Sequence, residues 1–414
     1  MTKFSNSYSS VKWDWFAALL FALVFCDALI SYFTKRIGFY HVSVIAGVLY
    51  FVFLYARGLH RVLPSDAIRF WLLLAMFGFV IAVPVQNGIG FNRLLEVTSA
   101  TVAYLIGFAF FKSVNDLHRL SWFLLAMVLL YSLISTLAIL KIAPAIFPLS
   151  ISLWADNGVI NERPAIMTDQ NFQVFYLFPA AALIAPPFHK IRTPLTIISI
   201  MCALFVLAKL QTRSGVLVMF ALLVLSWILP LRVPGMGKKK FLVLPFFIAV
   251  ALAYALPTIV GQSQLLIDRF TGGDFTTGLG RLKSFIYLFE KLWNPLWWIP
   301  QGNGEFVANY GNKPHSNTTA VFLEGGIFSL AAWIALLAIP LLKLTRLFLL
   351  GKLDSISSMV MTFGAACLTI QLSLNVPLMD QVWLWMGALS GGVVRMQIIE
   401  RQRRKNSLVP NLDA

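Results

Sequence analysis

The sequence predicts an all-α protein that crosses a membrane many times, and three observations carry the prediction. Of its 414 residues, 59% are hydrophobic and 12% charged, and the mean hydropathy is +0.79. A soluble fold has no interior large enough to hide that much apolar surface. Apolar runs of about 18 to 22 residues recur along the whole length, and each covers roughly 30 Å of hydrocarbon as a helix. The third observation is the charge: a net +16 is dealt out to alternate loops instead of being gathered on one face. It therefore marks sidedness in a membrane, and nucleic acid is not an expected partner.

Taken in order, the first run, Trp13 to Phe33, follows Lys3 and Lys12. It is longer than a signal-peptide core and lacks a small-residue cleavage pattern, so it reads as an uncleaved first span. The second runs from His41 to Leu54, with Arg57, His60, Arg61 and Arg69 after it. Phe70 to Val85 and Val97 to Phe111 are the third and fourth, followed by Lys112, His118 and Arg119. Trp122 to Leu140 is the fifth, and a loop over about 142–170 follows. The sixth, Phe172 to Phe188, leads into His189, Lys190 and Arg192. Leu195 to Leu210 and Val216 to Leu231 flank the tight turn Gln211-Thr212-Arg213-Ser214-Gly215. The ninth, Phe241 to Val260, opens a large polar loop over about 261–318, and the tenth runs from Thr319 to Leu342. Ser358 to Leu378 and Val382 to Val394 close the series.

The reading is thus about twelve helices in a single transmembrane domain, 1–401, with a short polar tail over 402–414. Placing both termini in the cytoplasm puts most of the 33 Lys and Arg on that side, as the positive-inside rule requires. The two long loops then face outward, where an anionic substrate would meet their cations. Cys26, Cys202 and Cys367 all sit in apolar runs without metal-type spacing, so they read as packing residues, and neither metal nor cofactor is expected.

Chemistry is expected in the outer loops. Leu282, Phe285, Phe289, Leu292 and Leu296 recur at helical spacing, and Trp293, Trp297 and Trp298 are the residue type that anchors at headgroup depth. A helix lying along the interface would hold Arg281 at the membrane surface. Arg213 sits in a turn too short to reach far into water. Two guanidinium forks at one rim could grip a diphosphate, although an isolated rim arginine also reads as a snorkelling cation. His315 follows Pro314 just before the tenth span. An imidazole can take a proton from a hydroxyl at neutral pH, and a histidine there also reads as a helix cap. Glu324 lies nine residues further on, roughly 13 Å along a continuous helix and on its opposite face, so it is expected to serve the site or to be buried against another partner. Arg163 and Asn171, ahead of the sixth span, could line the same cavity or cap a helix.

Together these residues resemble the O-antigen ligase family, integral-membrane glycosyltransferases related to O-antigen polymerases. His315, Leu323-Glu324 and Gly326 fall in register with a pattern of the form H-N-x-x-L-x-x-L-x-E-x-G-x-x-G. Ser316, Thr319, Phe322 and Ser329 depart from it. The Arg213 turn is similar to an outer-rim arginine element, Gly280-Arg281 to a G-R loop, and Pro300-Gln301-Gly302-Asn303-Gly304 to a P-x-G-x-G turn. Asp169-Gln170-Asn171 is similar to a D-P-N element. The likeness covers about residues 160 to 330.

The resemblance implies a GT-C-like fold with a large periplasmic loop and transfer of O-antigen from undecaprenyl diphosphate to lipid A-core oligosaccharide. The reaction would take place at the periplasmic face of the bacterial inner membrane, without metal and with inversion. It implies that Arg213 and Arg281 hold the diphosphate and that His315 is the base; Arg163, Asn171 and Glu324 are candidates for supporting positions beside them. Polymerisation of repeat units and transfer to protein hydroxyls use the same donor. A twelve-span secondary transporter is the alternative of a different class; few mid-membrane charges and no pair of interrupted spans are expected from the sequence.

Overall fold

The computed structural model describes residues 14–34, 39–57, 64–81, 90–156, 159–165, 173–210, 213–229, 233, 278–301, 316–371 and 378–408. These residues are overwhelmingly helical. Four helical stretches are long and apolar enough to cross a membrane: Arg93–Ser113, Leu117–Ile139, Asn317–Leu349 and Asp380–Arg404. A bent pair near the start makes a fifth if it is one span, and His41–Ala56, Gln173–Ala182, Arg192–Leu207 and Ser355–Gln371 are shorter apolar helices.

The first expected span is in fact two helices, α1 (Trp15–Phe25) and α2 (Asp27–Thr34), meeting at Cys26 with a bend of 58°. Asp14 caps α1 by accepting from the amides of Phe16 and Ala17 at 3.1 and 3.2 Å. The bend sets Asp27 inside the bundle, 1% exposed, where it accepts from the Tyr176 hydroxyl at 2.8 Å and Gln381 Nε2 at 2.6 Å. An uncompensated carboxyl there would be costly, and these donors offset part of that cost.

Helices α3 (Phe39–Arg57), α4 (Asp66–Ile81), α5 (Gly90–Ser113) and α6 (Leu117–Ile139) follow. The expected loop over 142–170 instead contains an antiparallel hairpin, β1 (Ser150–Asp156) and β2 (Val159–Ala165), with Ser150 opposite Ala165 and Asp156 opposite Val159. Two residues, Asn157-Gly158, join the strands, the dipeptide most suited to a two-residue hairpin. Pro164 is tolerated because a two-stranded ribbon has only edges. The expected sixth span is not continuous: α7 (Gln173–Leu177) and α8 (Pro179–Ala182) are short, buried pieces. Then come α9 (Arg192–Lys209), α10 (Arg213–Ile228) and α11 (Gly278–Leu292). The last three are α12 (Asn317–Leu349), α13 (Ser355–Gln371) and α14 (Asp380–Leu408). The expected ninth span, Phe241 to Val260, lies outside the described residues.

The centre of the bundle is the parallel pair α5 and α14. Gly387 and Gly391, four residues apart, lie on Tyr104 and Phe108, and Gly107 lies on Leu384; a Cβ at any of the three would come within 2.0–2.4 Å of a backbone carbonyl oxygen. Small residues at this spacing are how helices approach closely in lipid, where no hydrophobic force draws them together. Hydrogen bonds run down the pair in step: Ser99 to Asp380, the Tyr104 hydroxyl to Ser390 at 2.9 Å, and Arg395 Nε to the Val114 carbonyl at 2.5 Å. Around this pair Trp385 packs on Phe363 and Phe178, ring centres 4.6 and 5.2 Å away.

These contacts give the bundle two chemically different ends. The starts of α5 and α14 lie at one end with the start of α12, while Arg395, Asp354 and Ser357 are joined at the other. This agrees with helices threaded alternately up and down.

Candidate functional site

Helix α12 begins where the polar loop ends. Ser316 is its cap, its hydroxyl facing the Thr319 amide at 3.4 Å, and Asn317 is fully buried. After two turns the helix breaks at Gly326, whose φ of 74° and ψ of −172° are confined almost entirely to glycine. The need for glycine at the break is visible on its surface. A Cβ on Gly326 would lie 2.3 Å from the carbonyl oxygen of Trp298, so the chain segment after α11 passes directly over this point. The Gln301 amide donates to the Leu323 carbonyl at 3.2 Å, using an acceptor freed where the helical ladder is interrupted.

This docking brings α11 to the first turns of α12. Tyr287 and Leu288 of α11 share a small core with Phe322, Leu323 and Leu330 of α12, joined by Phe285, Leu292, Trp297 and Ile327. Pro295–Trp298 forms a 3₁₀ turn capped by Asn294, and Trp298 Nε1 donates to the Leu292 carbonyl at 2.9 Å. Lys291 lies over the rings of Trp297 and Tyr287, 4.6 and 5.2 Å from their centres, which ties the turn back to the helix. The opposite face of α11 and its turn is bare: Phe289 is 59%, Trp293 83% and Leu296 73% exposed. One face thus packs on α12 and an apolar stripe is left outward, the amphipathic pattern its sequence spacing predicts.

Glu324, about one turn beyond Ala320 and two residues before the break, is largely enclosed. Its carboxylate pairs with Nη2 of Arg93 from α5, while Arg93 Nη1 holds Glu96 at 2.7 Å. The side chains of Arg93 and Glu324 are 12% and 13% exposed. A guanidinium spread across two half-buried carboxylates is a strong, directional contact. On the neighbouring side, Gly78 of α4 meets Gly325 and Ser329, and Ser329 donates to the Ala75 carbonyl at 3.2 Å. Ser329, where the family pattern has glycine, therefore has its own partner on α4.

The sequence-derived residues fall as follows. Arg281 is in α11, seven residues before Leu288, and so about 10 Å along the helix from the α12 contact. Arg213 is the first residue of α10, whose main neighbours are α8, α9 and α13. Arg163 is in β2 opposite Ser152. The side chains of these three arginines, and all of His315 and Asn171, lie outside the described residues. The structure thus joins the backbone of the Arg281 helix to the helix that opens one residue after His315, and joins Glu324 to Arg93. Neither a family model nor a curated protein matches this chain.

Sequence reasoning missed three charged residues set inside the bundle, Arg93 partly buried and two aspartates fully so. Arg93 is visible only as one cation in a short outer loop, because its partner is 231 residues away. Asp27 and Asp380 are the others. Asp380, 2% exposed, accepts from the Ser43 and Ser99 hydroxyls, and no lysine, arginine or histidine among the described residues pairs with either aspartate. A carboxyl inside an apolar run is the signal that could have found Asp27. The structure also corrects the expectation of uninterrupted spans, because breaks occur at Cys26 and at Gly326. No group of three or more metal-ligating side chains occurs among the described residues.

Proposed function

We propose that this chain is a glycosyltransferase of the O-antigen ligase type, a predominantly α-helical, GT-C-like protein of about twelve spans in a bacterial inner membrane. Both termini are cytoplasmic, and the reaction takes place at the periplasmic face. The donor is a glycan on undecaprenyl diphosphate and the acceptor is lipid A-core oligosaccharide. Arg213 and Arg281 grip the diphosphate from the rim. His315 accepts the proton of the acceptor hydroxyl as its oxygen bonds to the anomeric carbon. The bond from that carbon to the diphosphate breaks, and the electron pair leaves on the phosphate oxygen, where the guanidiniums offset the growing charge. Attack opposite the leaving group inverts the anomeric centre.

One observation carries this reading: the helix bearing Arg281 is packed onto the first turns of the helix that opens beside His315, with an exposed apolar stripe for the bilayer. A lipid-borne anion and a base would meet at such a junction. The test is to incubate the purified protein with lipid-linked glycan and lipid A-core, without metal, and to isolate the conjugate and its anomeric configuration. An inverted conjugate is expected, and no conjugate with any hydroxyl acceptor contradicts the reading. Arg281→Ala should lower kcat/KM for the donor by about 10- to 100-fold, with Arg281→Lys recovering only part, because a point charge lacks the fork. Wild-type donor use in the lysine variant would remove the bidentate grip.

A second reading, transport of a lipid-linked glycan, is favoured by the two helix breaks together with the buried Asp27 and Asp380. The two readings separate at Asp27, which the transferase does not use. If the chain is a transferase, Asp27→Asn retains glycan transfer within a few-fold, because the asparagine oxygen can still accept from Tyr176 while its NH2 donates to a Gln381 amide turned to present its oxygen. Counterflow of lipid-linked glycan in proteoliposomes that is abolished by Asp27→Asn would establish transport instead.

A further inference from the structure

The break at Gly326 divides α12 into a two-turn piece, Asn317–Gly325, and a long span beyond it. A helix interrupted in this way does not pass its orientation through the backbone, so the short piece must be aimed by what touches its sides. On one side lie Gln301 and the cluster around Tyr287, which belong to the loop segment. On another, Gly78 and Ala75 of α4 meet Gly325 and Ser329 at the break itself. The short piece is tied to the central helix pair by Arg93, whose Nη2 holds Glu324 while Nη1 holds Glu96 one turn along its own helix. Glu96 fixes the guanidinium's plane, so the fork reaches Glu324 in one orientation. Nothing in the expected reaction uses Glu324 directly, since it lies nine residues from His315.

We propose that Arg93 is a positioning residue: by clamping Glu324 it sets the angle of the two-turn piece, and with it the place of His315, which immediately precedes the capping Ser316. This inference rests on the transferase reading of the same site. It gives Arg93 no contact with donor or acceptor. Its loss is therefore felt in turnover more than in substrate affinity, because a misplacement of about 1 Å at a reacting centre can cost on the order of 10²-fold.

The test uses the full chain in lipid nanodiscs, with kcat and KM measured separately for lipid-linked glycan and acceptor. Arg93→Ala should reduce kcat by about 10- to 100-fold, with both KM values changed less than about threefold. Glu324→Ala should do the same, and the double alanine variant should be no worse than either alone. Arg93→Lys should recover part of kcat. If Arg93→Ala fails to insert, the exchanged pair, Arg93→Glu with Glu324→Arg, decides: recovery of kcat above either single variant supports the clamp, and no recovery overturns it. A wild-type kcat in Arg93→Ala, or a loss confined to donor KM, overturns the positioning role and leaves the transferase reading intact. A wild-type protein that transfers no glycan removes both.

Discussion

His315→Ala is expected to cut glycan transfer by on the order of 10²- to 10⁴-fold while the protein still inserts and purifies normally. The residue lies one position before the Ser316 cap of α12, ahead of the helical hydrogen bonds, so its removal costs the helix little. On the proposed mechanism, what is lost is the proton acceptor for the attacking hydroxyl. His315→Gln preserves a donor and an acceptor but cannot hold the transferred proton, and it should be as inactive as alanine. Initial rates of conjugate formation, normalised to folded protein, check this. Near-normal turnover in the glutamine variant would reassign His315 to a capping role.

The second large effect is structural. Gly326→Ala places a Cβ 2.3 Å from the Trp298 carbonyl oxygen, on a backbone conformation that side chains rarely adopt. Strain and overlap together should destabilise the site by about 2–4 kcal/mol, released by undocking the Pro295–Trp298 turn from α12. Thermal unfolding in detergent should show a lower midpoint, and protease should cut sooner near Trp298. Gly351→Ala is the control: it also has a positive φ, of 66°, but nothing lies within 4 Å of its Cβ. Only the backbone term remains, about 1–2 kcal/mol, with no change in cleavage at Trp298. Equal effects on cleavage from the two variants would show that the contact with Trp298 does not hold the turn.

Much of the fold was legible because hydropathy over a span-length window is insensitive to single residues, and that same averaging hid the rest. The run from Trp122 starts five residues inside α6 and ends within one residue of it, and the run from Thr319 starts within two residues of α12 but stops seven short of its end. The helix of Arg281 was found by its apolar spacing. A window across Trp13 to Phe33 absorbs Asp27 without losing its apolar mean, so the bend at Cys26 was invisible. The Gly326 break lies under Trp298, a contact that exists only once α11 has docked. The hairpin had a signal in the sequence, since Asn157-Gly158 stands between two short runs and this dipeptide favours hairpins, but a polar stretch ahead of a span also fits a loop. At the site, the depth of Glu324 leaves two expectations, service to the reaction or burial against a partner, and the structure shows a partner. Which cation it would take could not be read, because Arg93 lies 231 residues away and is joined to it only by the packing of α4, α5 and α12.

The most direct test of a shared outer site is accessibility of single cysteines at 213, 281 and 315 to a membrane-impermeant thiol reagent, in a chain whose Cys26, Cys202 and Cys367 are replaced by alanine. All three should label from the periplasmic side of intact spheroplasts, and undecaprenyl diphosphate-linked glycan should protect all three together. Labelling of any one only from the cytoplasmic side, or protection of one without the others, would contradict a single cleft built from these residues.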